Sequence, residues 1–348
     1  MMLTGENGIL TRAGQAKEET ESQSDLEVVK LAVTTGVTDN LVNQAEINTA
    51  IQDELRKSDN ASTVTGEGSE KTIKYKEKMY IVNIKTRKIE QTTEEKLAQR
   101  AIKIKINTGE NGVVKLPVLD TENSTIDWGD GTTNSNTDLG KVKNKIASNG
   151  KLKIATSGNQ QCYEHTYSEK NKEYVVSITG DVSALGSMEY SRDKIIEIVQ
   201  WGETGLEFVD FSCCSNLKRI AKPSENSFKL ITDFYLTFCE CTSLESIPEG
   251  LFDNCPNVTS FEGTLSGCTS LESIPEGLFD NCPNVTSFVG TFSQCTKLSG
   301  KAPELWKRGN NSQENEYEGN PYGNGCFKDC NNLNNYNEIP DFWKTAGK

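Results

Sequence analysis

Hydrolysis or group transfer needs a nucleophile, a base and a group that orients them. This sequence offers few of each. His165 is its only histidine, and eleven cysteines are the obvious nucleophile candidates. A cysteine nucleophile needs a histidine partner or a comparable activating neighbour, and the recurring cysteines have none nearby in sequence. Asp127 and Asp130 flank Trp128-Gly129 and carry hard oxygens of the kind that suits Ca2+. They are the candidate metal ligands. A turn of this composition also satisfies its own backbone without a cation, which is the preferred reading, so no metal is assigned. Glu245/Glu249 and Glu272/Glu276 could be acid/base pairs of a glycosidase, but recurrence marks them as scaffold first. No Cys-x-x-Cys pair occurs, which with one histidine speaks against zinc. No Gly-rich phosphate loop is present. The residues point away from an enzyme, and no catalytic residue or cofactor is assigned.

The cysteines instead mark a repeat. The frame Cys-x-x-[Leu/Val] occurs at Cys214/Leu217, Cys241/Leu244, Cys255/Val258, Cys268/Leu271, Cys282/Val285, Cys295/Leu298 and Cys330/Leu333. Ser243 to Thr269 recurs at Ser270 to Thr296 with only Glu262/Val289, Leu265/Phe292 and Gly267/Gln294 changed. Fixed-period self-similarity predicts stacked units that bury their apolar edges against neighbours. A small soft thiol packs well in such a core, so Cys241, Cys255, Cys268, Cys282 and Cys295 are read as structural free thiols rather than as a disulfide framework. Cys162, Cys213, Cys239 and Cys326 lie outside the frame.

Composition narrows the partners. A hydrophobic content of 34% is low for one compact globule and suits thin modules. A net charge of −13 excludes nucleic acid as the expected partner, because phosphate neutralisation needs clustered Lys and Arg. The same charge disfavours adhesion to anionic lipid. No apolar run approaches the roughly 20 residues that span a bilayer, and no signal peptide is visible.

Along the chain, residues 8–35 predict a mostly polar helix with a thin apolar stripe ending at Gly36, and 43–56 a second, short helix. Strands follow at 72–75 and 79–84. The run Gly5-Glu6-Asn7-Gly8-Ile9-Leu10-Thr11-Arg12 and its continuation to Glu21 resemble the segment after the membrane helix of type IV pilin-like and pseudopilin-like proteins of Gram-positive anaerobes. The resemblance covers about 3–90. It implies a stem that starts downstream of a membrane helix, so membrane contact is expected only through a segment preceding this sequence, and a pilus-like assembly is one expected partner state.

After a linker at 92–100, Ile102, Ile104 and Ile106 alternate with lysines, and Val114, Leu116 and Val118 alternate after Asn111-Gly112, which predicts a hairpin. Trp128-Gly129-Asp130-Gly131, then His165-Thr166-Tyr167, then Tyr174-Val175-Val176-Ser177-Ile178 resemble the PKD-like β-sandwich. That resemblance covers about 98–183. It implies that Trp128 plugs the core and His165 is structural, and it departs from the family in the long insert between Asp130 and His165. From 194 onward the frame Phe238-x-x-Cys241-x-x-Leu244-x-x-Ile247-Pro248, with Leu265–Pro275 and Phe292–Leu298, resembles BspA-like leucine-rich repeats of bacterial surface proteins.

The expected architecture is therefore multi-domain and mainly β. It comprises a pilin-like helical stem with a small sheet over 1–95, a PKD-like β-sandwich over 96–186, and a C-terminal leucine-rich repeat solenoid over 190–348. The solenoid is expected to have one coil with two short strands per unit, and a cap. The BspA-like resemblance implies a cell-surface, extracellular adhesion protein whose partners are extracellular proteins or glycans. The rival expectations are a pilus or pseudopilus subunit and an accessory module of a secreted enzyme. Within the frame, Glu245, Ser246, Thr259, Glu262, Glu272, Ser273, Thr286 and Val289 fall between core contacts and are the candidate partner-binding residues, with Tyr317 and Tyr322 in the irregular stretch 308–325.

Overall fold

A computed structural model describes residues 6–37, 44–66, 70–116, 118–120, 124–135, 163–186, 191–308 and 323–345. The chain divides into two compact units, Met1–Ala98 and Gln99–Lys348.

In the first unit, helix α1 runs Glu6–Gly36 and α2 Gln44–Arg56. Strands β1 (Thr63–Thr65), β2 (Glu70–Tyr75), β3 (Lys78–Asn83) and β4 (Lys88–Thr92) form an antiparallel sheet in that order. The expected stem is not what forms. Val29, Ala32 and Val33 of α1 are buried with Ile51 and Leu55 of α2 and with Ile73, Tyr75, Tyr80 and Val82 of the sheet. The thin apolar stripe is complementary to those two faces, so the helix becomes one wall of a helix-and-sheet unit rather than a free rod. Gly36 permits the close crossing, since a Cβ there would lie 2.7 Å from the Ile51 nitrogen. Asp25, buried at 5% exposure, pairs with Lys76 at 2.5 Å and Lys78 at 2.7 Å, which pins α1 to the β2–β3 turn. The stretch expected as a linker contains a short helix, α3 (Glu94–Gln99), with no buried residue. No helix of the described residues is long and apolar enough to cross a membrane.

The second unit contains β5 (Ile102–Asn107), β6 (Val113–Leu116), β7 (Val118–Asp120), β8 (Thr125–Asp127), β9 (Thr133–Ser135), β10 (Tyr163–Thr166), β11 (Glu173–Thr179), β12 (Val182–Gly186), β13 (Ile195–Gln200), β14 (Phe208–Asp210), β15 (Arg219–Ile220) and a terminal helix α4 (Asp341–Lys344). One sheet has the order β15-β13-β5-β11-β8-β9, a second pairs β10 with β6, and a third has the order β14-β12-β7. The predicted hairpin is absent: β5 pairs with β11 and β13, while β6 pairs with β10. Both runs alternate as expected, but they feed one core from different sheets. The sandwich is not closed on itself either. β13 lies antiparallel along the edge of β5 and covers it, and β14 adds to β12. One buried cluster then runs from Ile102 to Trp343.

The mainly β, three-part architecture is thus corrected to a mixed fold of four helices and several small sheets among the described residues. The leucine-rich repeat solenoid is corrected with it. After β15 no strand element forms among the described residues, and the two strands per unit expected there are turns. Only the bridges Asp233–Ser260, Ser260–Ser287 and Gly300–Leu333 remain. The cause is local. Leu236, Glu240, Gly250, Gly263, Gly267, Gly277, Gly290 and Gln294 all take positive φ, which breaks an extended run. Pro248, Pro256, Pro275 and Pro283 have no N–H to give a ladder.

The copies nevertheless keep a common register. Phe234 N–H donates to the Ser260 carbonyl at 3.0 Å and Phe261 N–H to the Ser287 carbonyl at 2.8 Å. Phe238 and Leu265 donate likewise to Thr264 and Thr291. At the far end, Gly323 precedes Cys330 by the same interval that Phe288 precedes Cys295. A Cβ on Gly323 would lie 2.3 Å from the Trp343 ring, so that indole occupies the place of the missing phenyl.

Candidate functional site

The site that the sequence suggests is a surface, and its geometry is set by what lies beneath it. Phe234, Phe261 and Phe288 stack at 5.5 and 5.8 Å between ring centroids. Phe252 stacks on Phe279 at 5.7 Å and Phe292 on Phe327 at 5.7 Å. These columns fix the separation of successive copies. Beside them the cysteines do more than fill space. Cys241 donates to the Phe211 carbonyl at 3.1 Å, Cys268 to Phe238 at 3.2 Å, Cys282 to Phe252 at 3.3 Å and Cys295 to Leu265 at 3.1 Å. Each thiol thereby satisfies a backbone carbonyl of the preceding copy, which a methyl group could not do. Burial pushes these thiols well above their ordinary range, Cys282 to about 12, and Cys255 shifts the same way. All ten described cysteines are unbridged.

Polar rows ride on this base. Thr264 and Thr291 are buried and donate to the Phe234 and Phe261 carbonyls at 2.8 and 2.9 Å. Asn257 and Asn284 donate to the carbonyls of Lys229 and Pro256 at 2.9 and 2.8 Å. Of the predicted binding residues, Glu245, Ser246, Glu272 and Ser273 are exposed and stand in line, with Glu272 N–H donating to the Glu245 carbonyl at 3.3 Å. Thr259 and Thr286 are exposed too, but their hydroxyls are committed to the carbonyls of Thr232 and Thr259 at 3.2 and 3.1 Å. Glu262 and Val289 are half-buried. Tyr317 and Tyr322 lie outside the described residues.

Tyr235 completes the Glu262/Val289 row and was missed. It is 39% exposed, and the next residue, Leu236, donates to the Glu262 carbonyl at 3.0 Å. Carrying the register back one copy from Glu262 would have found it. Each member of this row has its N–H held by the side chain two residues earlier, Asp233 at 2.7 Å, Ser260 at 3.2 Å and Ser287 at 3.4 Å.

The candidate cation ligands are occupied by their own turn. Asp127 accepts from Gly129 N–H at 2.9 Å. Asp130 accepts from Thr132 N–H at 3.0 Å, from the Thr132 hydroxyl at 2.6 Å, and bonds His165 Nε2 at 2.7 Å. The His165 ring stacks on buried Trp128 at 5.0 Å, and the Tyr167 hydroxyl donates to the Trp128 carbonyl at 2.8 Å. Gly129 takes φ 79°, and a Cβ there would meet the Val175 carbonyl oxygen at 2.5 Å, so only glycine fits. Burial pushes the Tyr167 hydroxyl far up. Among the described residues no group of three His, Cys, Asp or Glu could hold a metal ion.

No family model, no curated protein and no solved structure matches the chain.

Proposed function

We propose that this chain is an extracellular binding protein of a bacterial cell surface, and that the rows above the phenylalanine columns meet protein or glycan partners. The observation that carries this reading is the presence of exposed side chains at a repeat set by rings 5.5 to 5.8 Å apart. A repeated row matches a partner that is itself extended and repetitive, because each added contact is made in register with the last. The carboxylates of Glu245 and Glu272 are like charges held in one line, which favours a partner that presents cationic or hydrogen-bond-donor groups. Tyr235 at the edge of a half-buried row adds an aromatic contact of the kind enriched at interfaces. The resemblance of the Cys-x-x-Leu frame to BspA-like surface proteins agrees with this use.

The test is binding of the full chain to arrays of glycans and of matrix proteins, with Tyr235→Ala and the pair Glu245→Lys/Glu272→Lys as controls. Wild type is expected to bind a restricted set, and both variants to lose affinity about 10-fold or more, an interface effect of roughly 1.4 kcal/mol. Binders that both variants retain at full strength would place the binding surface elsewhere.

A further inference from the structure

Two cysteines outside the repeated frame, Cys213 and Cys239, are brought together on adjacent copies. Cys213 N–H donates to the Cys239 carbonyl at 2.6 Å, so their backbones are in direct contact. Cys213 has φ 58° and opens a left-handed column continued by Glu240 at 60°, Gly267 at 74° and Gln294 at 64°. Glu240 covers Gly267 so closely that a Cβ there would lie 2.6 Å from its Oε1. In this column Cys213 precedes Glu240, the residue next to Cys239, by one copy. Cys213 is exposed and Cys239 half-buried, whereas the other eight described cysteines are buried.

We propose that Cys213 and Cys239 are an oxidisable pair that closes by thiol–disulfide exchange into a cross-link between neighbouring copies. The co-reactant is a small-molecule disulfide. The Cys213 thiolate attacks one of its sulfurs, the S–S bond breaks, and one small thiol leaves. Cys239 then loses its proton and attacks the Cys213 sulfur of the mixed disulfide, and the second small thiol leaves. Two protein thiols are oxidised and one disulfide is reduced. Burial first, then the charges of Glu240, Cys213 and Asp210, push the Cys239 thiol up to about 11. Closure needs the Cys239 thiolate and therefore quickens as pH rises.

The experiment incubates the reduced full chain with glutathione disulfide and follows intact mass, peptide mapping and denatured thiol titration. The expected product is lighter by two hydrogens, contains a peptide joining Cys213 to Cys239, and titrates two fewer than the eleven thiols of the sequence. Cys239→Ser puts there the residue found at Ser212, Ser266 and Ser293, and it is expected to stop at a stable glutathione adduct on Cys213. Cys213→Ser is expected to give no cross-link. A wild-type chain that stops at the Cys213 adduct, bridges two chains through Cys213, joins other cysteines, or does not react would overturn the proposal.

Discussion

At Asp130, two bonds from Thr132 and one from His165 converge on a single carboxylate. Burial alone would raise its pKa, yet these bonds together hold it below the ordinary value. A carboxylate lowered on folding stabilises fully above its unfolded pKa and loses that contribution as pH falls through the folded value. Asp130→Asn is therefore expected to lower stability at neutral pH and to flatten the acid limb, as read by urea unfolding from neutral pH down to about pH 3. Parallel curves for wild type and variant would refute the assignment. The turn was legible in the sequence because Trp128-Gly129-Asp130-Gly131 and His165 are individually distinctive. The thiol bonds were not: recurrence marked Cys241, Cys268 and Cys295 as core, but nothing in a sequence shows a thiol reaching a carbonyl of another copy.

The ladder elements depend on columns rather than on strands. Phe261 stacks on both Phe234 and Phe288 and touches Phe252 and Phe279. Phe261→Ala removes contacts to two copies at once, and a loss of about 3–5 kcal/mol is expected in chemical denaturation. A cost near that of a surface substitution would mean that the columns are not the spine. The register of these columns was readable from Ser243–Thr296. The absence of strands was legible only in part: the prolines and glycines of the copies stand in the sequence, but Leu236, Glu240 and Gln294 adopt positive φ without being glycine, and their types give no warning. The pairing of β13 with β5 was not legible. Alternation shows that a strand has a buried face, but not which edge it will join.

At the scale of the whole chain, two separate cores stand out, one around Ile51 and Tyr80 and one from Ile102 to Trp343. Calorimetry is expected to show two transitions. Asp25→Asn, which weakens the pairing with Lys76 and Lys78, should lower only one of them, and Phe261→Ala only the other. If either substitution shifts both transitions equally, the cores are not independent. Because Trp343 supplies the finishing ring at Gly323, the interior segments carry no duty as terminators. Ser243–Thr269 and Ser270–Thr296 differ at only three positions, so gaining or shedding one such cassette would add or remove a unit while leaving the closing indole as it is, with Gly267 under Glu240 the position that has to adjust.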